Sequence, residues 1–179
     1  MVNFAGRPLR AIHSSWHSVN LATLIVRAAL GVGFVAHGGQ KLFGWFGGTG
    51  IAGTTAFFKG VGIPSPHVFS YVAGIAEFFG GIAIALGFLT IVMAIGLIVE
   101  MLIAITAVSY AAGFFVTAQK IGWELNVYLI GLLGAMLVMG PGAWSVDAAL
   151  GLTRRRRPVA TAAATAAPAG EGGQAESPA

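Results

Sequence analysis

Cysteine is absent from the 179-residue sequence, and charged residues make up only 9% of it. Without a thiol, the chain itself can form no disulfide, no thiolate metal site and no cysteine-ligated iron–sulfur centre. Soluble domains typically carry about 25% charged residues, so the scarcity of charge indicates a lipid environment. Because the chain has no cysteine-based redox centre, any redox role must use a partner protein or a diffusible carrier.

Histidine is also scarce, with four residues dispersed at positions 13, 17, 37 and 67. None of the predicted spans holds two of them at the spacing of zinc or haem ligands, so we expect no metal site. The formal net charge is +4, but four of the ten basic residues form one run at 154–157. This clustering does not indicate a nucleic-acid surface, and we expect no nucleic-acid partner.

Hydrophobic residues make up 56% of the chain and concentrate in four segments, at about 20–38, 68–88, 91–114 and 123–140. Each approaches the roughly 20 apolar residues that cross a bilayer as a helix. The first segment lacks a signal-peptide cleavage site and is therefore expected to be retained. Only a tight turn around Leu89 and Thr90 separates the second segment from the third, which predicts an antiparallel hairpin. The sequence thus predicts an all-α integral membrane four-helix bundle.

The predicted organisation has three parts: a cytoplasmic N-terminal segment at 1–19, the four-helix domain at 20–150, and a basic run with a disordered tail at 151–179. The tail is too poor in apolar residues to fold. Six arginines flank the spans on the side of the termini, at positions 7, 10 and 154–157, against three lysines on the opposite side, at positions 41, 59 and 120. Because basic residues accumulate in the cytoplasm, we expect both termini there.

The predicted outer loop, at 39–66, contains the sequence GTGIAG at 48–53. This matches the glycine pattern of dinucleotide-binding folds, but that pattern works only between a strand and a helix. Here it follows a membrane helix, so we reject a nucleotide site. Trp45, several phenylalanines, Lys41 and Lys59 instead predict an interfacial loop with a short helix lying along the membrane.

Ionisable residues are costly in lipid, so those within the predicted spans indicate a structural or functional role. From a rise of about 1.5 Å per residue, Arg27, Glu77 and Glu100 fall within about one helical turn in depth and are expected to form a central layer. A second layer is expected near the outer surface, formed by His37, Lys41, Glu124 and Tyr128. These seven residues are the candidate substrate-binding residues, although a purely structural staple would explain the central layer equally.

The neighbours of both central glutamates are small, which predicts that these faces meet other helices. Glu77 shares its face with Ala73, Gly74, Gly80 and Gly81. Glu100 shares its face with Gly96, Ala104 and Ala107. If Arg27 lies with the two glutamates, ionising all three leaves a charge of −1, so we expect one carboxyl to hold a proton. Glu77, flanked by glycines that supply no partner, is the expected site of that proton.

Five motifs in order resemble the DoxX family of small bacterial membrane proteins: HGGQKLFG, GIPSP, AEFFGGIAIALGFLT, GWELN and GPGAWSVD. The resemblance implies a four-helix bundle in the inner membrane, associated with quinone-linked oxidoreductase systems. As the function hypothesis, the chain is a membrane subunit with a lipid-accessible quinone site, whose carbonyls would bond to side chains such as Arg27, His37 or Glu124. In GPGAWSVD, Trp144 is expected at the headgroups, with Asp147 pairing with the arginines that follow.

Two other functions stay open. A proton-coupled carrier of small solutes would use the same buried carboxylates, but four helices enclose little volume unless the chain forms a homo-oligomer. A membrane scaffold would recruit soluble redox enzymes, through the basic tail for instance. In each case the expected partners are the bilayer and a soluble or membrane redox protein.

Overall fold

The computed structural model describes residues 16–153, and every regular element in that range is helical. The helices are α1 (Trp16–Phe43), α2 (Gly50–Gly60), α3 (Pro66–Leu86), α4 (Thr90–Ala104), α5 (Glu124–Met139) and α6 (Val146–Ala149), with short turns of 3₁₀-helix at Trp45–Gly47 and Tyr110–Ala112 and of π-helix at Ile105–Ser109. The predicted all-α class is confirmed. The N-terminal arginines, the basic run and the predicted tail lie outside the described residues.

Within residues 16–153, three helical stretches are long and apolar enough to cross a membrane: Ser18–Phe43, Pro66–Leu86 and Thr90–Ala112. The third includes α4 and the π and 3₁₀ turns that continue it. The fourth predicted span appears as α5, an apolar helix of 16 residues. At about 1.5 Å per residue it is roughly 24 Å long, short of the roughly 30 Å hydrocarbon core.

α1 and α3 form the most extensive interface between the described helices. Glycine makes this close approach feasible: a Cβ added to Gly38 of α1 would lie 2.4 Å from the backbone nitrogen of Phe78 in α3. A Cβ added to Gly81 of α3 would likewise lie 2.8 Å from the nitrogen of Val35. Since lipid gives no hydrophobic drive for helix association, such tight packing of small residues is what holds two membrane helices together.

The buried apolar core draws on four helices. Its members are Leu30 and Phe34 of α1, Ile84 of α3, Ala94, Leu97 and Met101 of α4, and Leu133 and Met136 of α5. All of these side chains are at most 4% exposed. The helices α1, α3, α4 and α5 therefore share one core, although α5 is short.

The hairpin between α3 and α4 confirms the predicted tight turn, because only residues 87–89 separate the two helices. Gly87 and Leu89 both have left-handed backbone, with φ of +68° and +46°. This conformation is costly for leucine, so the turn needs support from elsewhere in the fold.

Helix α2 occupies the predicted interfacial loop and packs against α1 and α3. The GTGIAG sequence leads into and begins this helix, and no strand precedes it within residues 16–153, in agreement with the rejection of a nucleotide site. Thr54 on α2 is buried and donates a hydrogen bond to the carbonyl of Lys41, at 3.4 Å. The helix thereby covers one end of the bundle, which we call the α2 end; the opposite end, where α6 lies, is the α6 end.

Candidate functional site

A buried ion pair joins α1 to α3. The Nζ of Lys41, near the end of α1, donates a hydrogen bond to Oε2 of Glu77, in the middle of α3. The Glu77 side chain is 6% exposed and that of Lys41 is 25% exposed, so the pair runs from the interior towards the surface. The sequence placed Lys41 in a separate outer layer, and the structure corrects this because its long side chain reaches inward to the carboxylate.

Glu100 on α4 is the third member of this group, because it interacts electrostatically with both Glu77 and Lys41. Its Oε2 atom is buried and has no hydrogen-bond partner among the described residues. We call Lys41, Glu77 and Glu100 the Glu77 cluster. The expected meeting of the two glutamates is therefore found, but with a lysine rather than Arg27 as the cation.

The helix surface predicted to face inward is buried around Glu77 but not around Glu100. On α3, Gly74 and Gly80 are buried beside Glu77, as expected. Of the expected neighbours of Glu100, Gly96 on α4 and Ala107 in the π-helical turn are exposed, and Ala104 is half-buried. The buried positions of α4 are instead Thr90, Ala94, Leu97 and Met101. Glu100 therefore lies at the edge of the packed face and is half-buried.

Arg27 does not join the Glu77 cluster, contrary to the prediction. Its Nη1 donates to the carbonyl of Pro141 at 2.6 Å, and its Nε and Nη2 donate to the carbonyl of Ala85 at 3.3 and 3.0 Å. Its charged neighbour is Asp147. The depth of a Cα does not reveal where a long side chain ends, and here the guanidinium extends to the Ala85 carbonyl at the C-terminal end of α3 and to the Pro141 carbonyl after α5.

Asp147 supplies the missing N-terminal cap of α4. Its Oδ1 accepts the Leu89 N–H at 2.7 Å and its Oδ2 accepts the Thr90 N–H at 2.9 Å, while its own N–H donates to the Gly87 carbonyl at 2.9 Å. Asp147 is buried, at 4% exposed, and the arginines predicted from the sequence to pair with it lie outside the described residues. Local sequence did not reveal this remote cap, because Thr90 at the start of α4 is itself of a residue type that commonly caps helices.

We call this second group the Asp147 junction. Its members are Arg27, Ala85, Gly87, Leu89, Thr90, Pro141 and Asp147. It ties α1, the α3–α4 turn and the segment after α5 together at the α6 end. Two of its members are oppositely charged, and hydrogen bonds to backbone groups surround both.

Three candidate residues stay outside both groups. His37 and Tyr128 are exposed, and Glu124 is half-buried at the start of α5, where its backbone N–H donates to the Phe114 carbonyl at 2.9 Å. Their side chains form no hydrogen bond or ion pair within residues 16–153. Their substrate-binding roles stay predictions. In the same range, no group of three or more His, Asp or Glu residues is placed to hold a metal ion.

An apolar groove of about 330 Å³ lies between α1 and α3. Its lining residues are Gly31, Val32, Val35, Ala36, Trp45, Phe46, Ile82, Ala85 and Leu86. The indole N–H of Trp45 is the one side-chain hydrogen-bond donor among them. On α1 these positions lie on the face opposite Lys41, so the groove and the Glu77 cluster occupy different sides of the helix pair.

The sequence matches the family model described as DoxX over residues 22–116. It is 28% identical over 128 residues to "Inner membrane protein YqjF" of Escherichia coli (strain K12), covering 72% of this chain and 91% of the relative. It is 33% identical over 100 residues to "Uncharacterized membrane protein Rv3486" of Mycobacterium tuberculosis, covering 50% and 60%. It is 29% identical over 102 residues to "Putative oxidoreductase CatD" of Bacillus subtilis, covering 57% and 70%. No solved structure matches the sequence.

Proposed function

This chain belongs to the DoxX family of multi-pass membrane proteins, and from that premise we propose that it is the membrane subunit of a quinone-linked oxidoreductase system. The Glu77 cluster is the observation that carries the proposal. Ionisable side chains inside membrane helices are costly and commonly serve proton transfer, and two of the three here are carboxylates. A relative named as a putative oxidoreductase supports the same class of function.

Quinone chemistry needs both protons and electrons, since full reduction of a quinone takes up two of each. The carboxylates of the Glu77 cluster are suitable proton donors and acceptors, and they would supply protons to a quinone from the side of the α1–α3 pair opposite the groove. The chain has no cysteine and therefore no thiol-based redox centre of its own. We propose that electrons come from a soluble or membrane-bound redox partner.

The groove between α1 and α3 suits the isoprenoid tail of a quinone, because its lining is almost wholly apolar. A quinone carbonyl also needs a hydrogen-bond donor, and the Trp45 indole is the donor that the groove lining offers. Arg27, which the sequence had suggested for this role, already donates to the carbonyls of Ala85 and Pro141. Trp45 therefore replaces Arg27 in the proposal.

The proposed topology has four spans, with α5 as the short fourth one and both termini in the cytoplasm of a bacterial cell. A reporter fused after Arg157 should then be active in the cytoplasm. Reporters inserted near Gly50 or Gln119 should report the external side. External labelling of a cysteine introduced after Arg157 would contradict this orientation.

Purification in a mild, lipid-retaining detergent tests the function. We expect quinone to co-purify in near-stoichiometric amount, and Trp45→Phe to weaken its binding about 3- to 10-fold, as loss of one hydrogen bond implies. Trp144→Phe, at the α6 end, is the matched control and should bind quinone as the wild type does. Protein partners without quinone would favour a scaffold, and solute uptake by the protein alone in liposomes would favour a carrier.

A further inference from the structure

Glu100 presents an unusual polar atom. Within residues 16–153, two buried side-chain polar atoms lack a hydrogen-bond partner: Oε2 of Glu100 and the hydroxyl oxygen of Thr90. A buried neutral hydroxyl without a partner has a modest energetic cost, whereas an ionised carboxylate oxygen in the same state costs far more. An ionised Glu100 therefore requires either a ligand or the loss of its charge. The neutral Thr90 hydroxyl requires neither.

The charges around Glu100 do not balance. Glu77 adds a second carboxylate and Lys41 adds one ammonium, which leaves −1 if all three groups ionise. The neighbouring helix α5 offers the neutral amide of Asn126, which donates to the sulfur of Met101. Glu124, at the start of α5, forms no ion pair within the described residues.

The remaining cation of the described interior is also committed elsewhere. Arg27 has Asp147 as its charged neighbour and the carbonyls of Ala85 and Pro141 as its hydrogen-bond acceptors. It cannot neutralise Glu100 without leaving the Asp147 junction. A proton is the smallest ligand that removes the excess charge, and it needs no cavity.

We propose that the Glu77 cluster binds one exchangeable proton, which resides on the carboxyl group of Glu100 while Lys41 neutralises Glu77. The ion pair decides between the two carboxyls, since Lys41 contacts Glu77 and stabilises its ionised form. This differs from the sequence-based expectation, which placed the proton on Glu77. When the proton leaves, the charge of the cluster changes from 0 to −1, and one ammonium then serves two carboxylates.

The geometry also assigns a side to the exchange. The Lys41 side chain is a quarter exposed and connects the buried carboxylate to the α2 end. At the opposite end, hydrogen bonds to backbone groups hold the buried side chains of Arg27 and Asp147, which do not contact the Glu77 cluster. Protons are therefore expected to enter and leave from the α2 side.

Infrared spectroscopy of the full chain in nanodiscs, with and without ¹³C-labelled glutamate, counts protonated carboxyl groups directly. Glutamates in contact with water are ionised at neutral pH and do not contribute to this signal. We expect one protonated glutamate in the wild type. Charge balance predicts none in Glu100→Gln, none in Glu77→Gln, where Lys41 can neutralise Glu100, and two in Lys41→Met. Glu124→Gln is the control and should retain one.

A wild type with no protonated glutamate, or a Glu100→Gln variant that keeps the signal, would overturn the proposal. If Glu100→Gln does not fold, Glu77→Gln and Lys41→Met still test whether the cluster holds one proton. The expected number of protonated glutamates falls to none in the first variant and rises to two in the second. An unchanged count in either variant refutes the charge balance. The measurement needs no quinone, so loss of quinone binding with the proton count intact would refute the proposed function alone.

Discussion

The two groups of buried charge in this chain, the Glu77 cluster and the Asp147 junction, differ in how completely their charges are satisfied. In the junction, both oxygens of Asp147 accept backbone N–H groups, and the guanidinium of Arg27 donates to two carbonyls. In the cluster, one oxygen of Glu100 has no partner and the formal charges do not cancel. A group whose charged atoms all have hydrogen-bond partners stabilises a fold, whereas one that leaves a charged atom without a partner has room for a ligand.

The same difference predicts opposite responses to mutation. Removing one member of the junction leaves backbone groups and a charge unpaired in a region that water does not reach. Removing one carboxylate of the cluster leaves one carboxylate for one ammonium, so Lys41 keeps a partner in either case. Stability measurements on the two groups therefore test the comparison directly.

The largest effect is expected for Asp147→Ala. This change strands the N–H groups of Leu89 and Thr90 and removes the anionic neighbour of Arg27. We expect a loss of about 3–5 kcal/mol in the free energy of unfolding, measured by thermal melting in detergent. Asp147→Asn keeps one acceptor oxygen and should lose less. Equal losses for the two variants would contradict the capping role.

A smaller loss is expected for Gly87→Ala. An added Cβ would lie 2.5 Å from the Cβ of Ser145 and 2.7 Å from Nη1 of Arg27, and φ at this position is +68°. We expect a loss of about 1–3 kcal/mol in the same melting experiment. Gly131→Ala on α5 is the control, because nothing lies within 4 Å of the added Cβ, and it should be neutral or slightly stabilising. A neutral Gly87→Ala would show that the turn adapts easily.

Glu77→Gln should cost only about 1 kcal/mol of stability, because Glu100 can take over the ammonium of Lys41. Activity should respond differently: if the cluster transfers protons in quinone chemistry, the variant folds but loses quinone-linked turnover. Melting and turnover measured on one preparation separate the two properties. A variant that unfolds as readily as Asp147→Ala would show that the cluster is a structural staple like the junction.

The smallest effect is expected for Glu124→Gln, with stability unchanged within about 0.5 kcal/mol. Its side chain is half-buried and forms no ion pair or hydrogen bond within residues 16–153. The same melting assay checks this. A loss above about 1 kcal/mol would reveal a third group of charges at the α2 end.

Hydropathy was sufficient to locate the three described helices that are long enough to span a membrane, because length and apolar content are properties of each segment alone. The α3–α4 turn and the burial of Glu77 among glycines were likewise readable from local sequence. The interior position of Glu100 was only partly predictable. Its expected neighbours Gly96 and Ala107 are exposed, because larger residues such as Leu97 and Met101 occupy the packed face of α4.

The partners of the charged side chains depended on the tertiary structure. Lys41 and Arg27 are both on α1, 14 positions apart, and the sequence assigned each to the wrong group. Their flexible side chains extend along the helix in either direction, so the position of the Cα does not determine which carboxylate they reach.

By itself, the sequence determined the helical class of this protein and the location of its core in a lipid membrane, since both follow from the composition and length of single segments. Only the tertiary structure decided that Lys41 neutralises Glu77, that Asp147 caps a helix some 57 residues earlier, and that Glu100 keeps an unpaired oxygen. These pairings depend on the rotation and depth of one helix against another. Packing between helices sets both, and no local pattern of residues encodes them.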